Sequence, residues 1–234
     1  VPGIALYDED LEDDDPPFVS EFPVDENFAI AGGCSLTDRG GLSQGFEVEV
    51  EVDEDVEVTT IRVNVSAERL EDVYVELAEL VDAPGFLVLE TPSNRAVEQE
   101  LRESDQDPLH VDVHYLDDLQ TIDHRLLFDP LAELLTSCGC VAFGFGSHQG
   151  VDEVVVDGYK AVTILSIAPD KYVERLRKLG FPQREGMRTA WDTLSAEAPG
   201  ERSLVRVNGK TVYDVVEELG ERGLYFAKRR TGIV

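Results

Sequence analysis

The chain has 234 residues, 42% of them apolar, and 49 Asp and Glu against 20 Lys and Arg, a formal net charge of -29. That apolar content suffices for a core in one large domain or two small ones, while so negative a field repels nucleic acid and anionic lipid and draws basic proteins or cations. No run of about 18 apolar residues spans a bilayer, no basic-then-apolar leader opens the chain, and Cys34, Cys138 and Cys140 are too few for a secreted disulfide framework. The expectation is a cytoplasmic protein that binds neither nucleic acid nor membrane.

The charge is unevenly placed. Residues 1–66 hold 18 acidic and 2 basic residues, 67–150 hold 18 and 4, and 151–234 hold 13 and 14. Arg outnumbers Lys by 15 to 5, a composition that also fits adaptation to high salt, although a uniformly halophilic surface would not be so lopsided. Three segments are expected: an acidic, partly disordered stretch and loop at 1–45, an acidic α+β unit at 46–150, and a near-neutral α+β unit at 151–234 packed on the first.

Asp8 to Asp15, closed by Pro16 and Pro17, self-repels and reads as a solvated leader. The glycine-rich stretch Ala31 to Gly45 reads as a loop. Phe46, Val48, Val50 and Val52 alternate with Glu47, Glu49 and Glu51, which predicts a half-buried strand with a carboxylate face, returning over Thr59 to Val65. Ser66 is expected to cap a helix with Leu70, Val73, Tyr74, Leu77 and Leu80 inward and Glu71, Glu76 and Glu79 outward. Strands are predicted at Phe86 to Leu89, Leu109 to Tyr115 and Cys140 to Phe143. Ser93 to Leu101 is a short helix, the region near Asp123 a loop or turn, and Asp129 and Pro130 open another helix.

The second half reads as a hairpin, Val151 to Val156 and Ala161 to Ile167, turning at Asp157-Gly158. A helix from Asp170, a strand at Leu204 to Val207, a helix boxed by Thr211 and Asp214, and a strand from Leu224 to Lys228 follow. Both halves thus run hairpin, helix, strand, helix, strand, a pattern compatible with duplication. The fold class is α+β: mainly antiparallel or mixed sheet with helices packed on one face.

Three constellations carry chemistry. His110, Asp112 and His114 alternate on one predicted strand, so the three share a face and offer ligands for zinc or a similar divalent ion. Gly144, Gly146, Ser147 and His148 follow a strand in a glycine-rich stretch that could approach a ligand closely, although no helix follows to complete a phosphate site. Trp191 lies in the long connection from Gly180 to Arg202 and reads as an interface anchor or a local plug. Lys171, Arg175, Arg177, Lys178, Lys228, Arg229 and Arg230 are expected to face carboxylates of the same chain or of a second copy in a homo-oligomer.

These features favour a non-catalytic acidic binding protein, of the inhibitor or immunity type, that engages a basic protein through its first 150 residues. Contact is expected at Glu47, Glu49, Glu51, Glu71, Glu76 and Glu79, with no cofactor. The alternative is a metal-dependent enzyme or metal-binding protein built on His110, Asp112 and His114.

Overall fold

The computed structural model describes residues 20–53, 56–104 and 106–232; the acidic run Asp8 to Asp15 and the hairpin apex at Glu54 and Asp55 lie outside the described residues. In chain order the elements are β1 (Cys34–Leu36), β2 (Gly45–Asp53), β3 (Val56–Asn64), α1 (Leu70–Ala78), β4 (Gly85–Pro92), α2 (Arg95–Leu101), β5 (His110–Leu119), α3 (Thr121–Phe128), α4 (Ala132–Ser137) and β6 (Ala142–Ser147). They continue with β7 (Glu153–Val156), β8 (Val162–Ser166), α5 (Asp170–Lys178), β9 (Gly200–Arg202), α6 (Val212–Gly220) and β10 (Tyr225–Thr231). Eight strands form one sheet in the order β10-β5-β4-β6-β7-β8-β3-β2, and β1 pairs with β9 in a small separate sheet. Every neighbouring pair is antiparallel, so the fold is α+β.

Register explains which residues are buried. One row across the sheet runs Leu89, Phe143, Val156, Val162, Val63, Phe46, and the next runs Leu87, Phe145, Val154, Ile164, Ile61, Val48. Cross-strand partners share a face, and these rows join Leu70, Val73, Tyr74 and Leu77 of α1, Tyr172 and Leu176 of α5, and Val212, Val215 and Leu219 of α6 in one apolar cluster. Fully burying side chains of this size stabilises the fold by roughly 1.5–3 kcal/mol each. The opposite face carries none of these helices.

Strands of the two segments interleave. β3 and β6 are separated by β7 and β8, and β10 closes the far edge beside β5. Residues 46–150 and 151–234 therefore share one sheet and one core. β9 departs from the main sheet, so the second half places its fourth element differently from the first.

Several local expectations are corrected. Gly144 and Gly146 lie inside β6, because the ring of Phe86 and the side chain of Val155 occupy the space their side chains would take; the turn starts only at His148. The region near Asp123 is the helix α3, started by a Gln120 and Asp123 capping box. Leu204 to Val207 makes only an isolated bridge, Val207 to Lys210, and the strand of that region is β9. β1 falls inside the expected loop at 31–45. Ser66 does not cap through its side chain; its Oγ donates to Glu68 at 2.6 Å and accepts the N–H of Ala29 at 2.8 Å.

Candidate functional site

The open face of the sheet holds the most distinctive chemistry. One row across it runs Phe86, Gly146, Glu153, Leu165, Thr60, Glu49, and the next runs Tyr225, Tyr115, Val88, Gly144, Val155, Thr163, Arg62, Glu47. A Cβ on Gly146 would lie 2.4 Å from Cζ of Phe86, so the Phe86 ring rests over that glycine and leans toward Glu153 on the next strand. Phe86 packs edge-on to Tyr115, with centroids 5.5 Å apart, and 5.2 Å from the ring of His148. Tyr115 in turn meets Tyr225 at 6.4 Å. These rings form a continuous aromatic surface at the β10 end of the open face.

Carboxylates edge that surface, and most have partners. Asp117 accepts the Tyr225 hydroxyl at 2.8 Å and meets Nε2 of His148 at 3.1 Å. Glu90 pairs with Arg230, and Glu47 and Glu49 both pair with Arg62. Glu153 differs: it is half-buried and, among the described residues, makes no side-chain hydrogen bond or ion pair. Burial, and then the charge of Glu90, push its carboxyl above the usual range. Tyr115 lies in the field of Glu153, Glu90 and Asp117, and burial followed by those charges raises its hydroxyl pKa.

The acidic contact residues expected from sequence are not brought together. Glu47 and Glu49 point from the open face, whereas Glu71, Glu76 and Glu79 sit on α1 beneath the covered face. Glu76 pairs with Arg175 and Glu79 with Arg125 at 2.8 Å. Glu51 is in register with Val58, but its side chain lies outside the described positions.

His110, Asp112 and His114 do share a face, and it is the covered one, since His114 pairs with Leu89 and Asp112 with Thr91. Each takes a different partner. His110 Nδ1 lies 3.2 Å from Glu98. Asp112 is gripped by both nitrogens of the Arg229 fork, at 2.5 and 3.0 Å, and accepts the Ser93 hydroxyl at 2.6 Å. Burial alone would raise the Asp112 pKa; these hydrogen bonds and the Arg229 charge outweigh it and hold the carboxyl low. The buried His114 has an Nδ1 with no hydrogen-bond partner among the described residues. Among the described residues no three His, Cys, Asp or Glu side chains are grouped to hold a metal ion.

Ser147 Oγ accepts the N–H of Gln149 at 3.0 Å, while His148 turns to Asp117 and Phe86. Trp191 donates Nε1 to Asp157 at 2.7 Å and packs edge-on to Tyr159 at 4.9 Å, with Arg202 over both rings. It closes the β7–β8 turn as a local plug.

That turn borders a second notable group. Lys160 has φ +71° and is buried, donating Nζ to the carbonyl of Val141 at 2.8 Å. Burial lowers its pKa to about 8, against the opposing influence of Cys34, Cys138, Asp157 and Cys140. The three cysteines are free thiols. Cys34 donates to the carbonyl of Gly158 at 3.3 Å, and burial pushes its pKa up to about 11, which disfavours the thiolate. A cleft of about 390 Å³ opens at this sheet end between Val111, Leu109, Cys140, Tyr159, Leu194 and Arg202.

Comparisons with protein-family models, with curated proteins and with solved structures return no match. No helix among the described residues is long and apolar enough to cross a membrane. Glu153, Phe86, Tyr115, Asp117 and Tyr225 escape a sequence reading because apolar residues line both faces of β4, and on β5 the apolar side of the alternation, Val111, Val113 and Tyr115, is the one without helices. Alternation there does not say which face lacks a helix. Glu153 itself gives little signal in the sequence, because it stands beside Asp152 just before the apolar run Val154-Val155-Val156.

Proposed function

We propose that this protein is a binding module whose open sheet face receives a cationic segment of a basic protein. The observation that carries this reading is Glu153: unlike Glu90 and Asp117, it lacks a partner among the described residues, and its half-burial gives it much to gain from one. Glu90 and Asp117 reinforce the negative potential, and the adjoining rings supply area that attracts cations. The contact region is thereby moved from the hairpin and α1 together to the open face alone, with Glu47 and Glu49 at its far side.

A basic peptide of mixed lysine and arginine, titrated calorimetrically at low and high salt, tests the proposal. Binding should weaken as salt rises, and Glu153→Gln should lower affinity about tenfold, the equivalent of about 1.4 kcal/mol. Glu71→Gln, on the covered side, should leave affinity unchanged. No binding, salt-insensitive binding, or equal losses in the two variants would refute it.

A further inference from the structure

We infer that the cation received on the open face is an arginine side chain of the partner, stacked on the Phe86–Tyr115 surface and forked onto the carboxylate of Glu153. This rests on the reading of the open face as a site for a basic partner and names the residue type that it selects.

Geometry favours a guanidinium over an ammonium. The Phe86 ring lies between two others, 5.5 Å from that of Tyr115 and 5.2 Å from that of His148. Packed side by side at these separations, they offer a surface of adjoining rings rather than a cage around a compact cation. A planar guanidinium lies flat on such a surface and still presents two parallel N–H groups at its edge, whereas an ammonium is a strongly hydrated point charge that loses water there without compensation. Glu153 lies on the same face and in the same cross-strand row, one strand beyond Gly146. Gly146 is the cross-strand partner of both Phe86 and Glu153, and because it has no side chain the ring and the carboxylate are separated only by bare backbone. Two strand spacings, roughly 10 Å of backbone, are bridged by the ring leaning across, so one group can touch ring and carboxylate together.

The chain itself uses this combination. Arg229 forks onto Asp112 while its guanidinium lies over Phe226 at 5.5 Å, on the covered face of the same edge of the sheet. Arg188 lies over Phe22 at 4.3 Å and pairs with Asp38 at 3.3 Å. At the Phe86 and Glu153 position the ring and the carboxylate are present, and no described arginine occupies them.

Two peptides of equal length and charge, one with arginine and one with lysine as its only cations, are compared on the full chain by fluorescence anisotropy. The arginine peptide should bind about tenfold more tightly. A third peptide with dimethylated arginines keeps its charge but blocks the fork, and should fall to the affinity of the lysine peptide without any change to the protein. Glu153→Gln and Phe86→Leu should each abolish the preference while leaving weaker, salt-sensitive binding. Equal affinities for arginine and lysine, or full affinity for the dimethylated peptide, would overturn the inference and leave the broader proposal standing. Failure of all three peptides to bind would remove both.

Discussion

Glu153 and Lys160 belong to one hairpin and pose opposite electrostatic problems. Glu153 opens β7 on the half-exposed face, where a partner from outside can neutralise it. Lys160 is enclosed in the turn, with Val141, the Phe143 ring, three thiols and Asp157 around it. Its folded-state pKa of about 8 lies below the ordinary value of 10.5, so the unfolded chain binds the proton more tightly. Stability should therefore rise as pH increases through that interval. Cys34 acts in the reverse sense above its ordinary value of 9.0, so the test belongs between pH 8 and 9. Urea denaturation across that range should show the midpoint climbing for the natural chain, and Lys160→Met should flatten the climb. A slope unchanged in the variant would mean that the amine is not the titrating group. Sequence alone could place Lys160 near the Asp157-Gly158 turn but not inside the protein, because lysine is ordinarily a surface residue and its burial depends on β1 and the α4–β6 junction closing over it.

Elements with a single strong period were legible, and those with two apolar faces or short range were not. The β2–β3 hairpin alternates cleanly, and Thr211 and Asp214 do form the capping box of α6. α3 was hidden because Ile122 and Leu126 are exposed while His124, Leu127 and Phe128 are buried, which blurs the helical stripe. β6 was truncated in the reading because glycines ordinarily weaken a strand; here Phe86 fills the space over Gly146. Gly146→Ala should thus force the ring aside and destabilise the fold by about 1–3 kcal/mol. Gly150→Ala, at a position with open space around it, should cost far less. Chemical denaturation of the two variants side by side checks this, and equal stability would show that the ring yields freely. The candidate site was the least legible part, since it depends on the register of β4, β6 and β7 together, and register is set by contacts distant in sequence.

At the scale of the whole molecule, part of the acidity of the first 150 residues is paired internally, although the net charge of -29 is left over. Among the described residues, cations after position 150 pair with carboxylates before it at Arg175–Glu76, Lys171–Asp82, Arg188–Asp38, Arg229–Asp112 and Arg230–Glu90. The excess over these pairs is what remains to face solvent or a partner. Interleaving of the strands makes the same dependence geometric: a fragment of residues 1–150 lacks β7 and β8, so β3 and β6 would each face a missing neighbour. That fragment should show no cooperative thermal transition by circular dichroism, and should gain one when residues 151–234 are supplied as a separate polypeptide. A cooperative melt of the fragment alone would show that the first segment closes its own core. The order of strands also bears on synthesis at the ribosome. β3 is translated roughly a hundred residues before β8, the strand it pairs with, so a growing chain must wait with unpaired edges, a state prone to association. The 36 acidic residues against 6 basic ones in those first 150 positions give the unfinished chain a self-repelling charge through that interval, and the second segment, with 13 acidic and 14 basic residues, supplies the missing strands and the cations that pair with particular carboxylates while leaving that net charge almost unchanged.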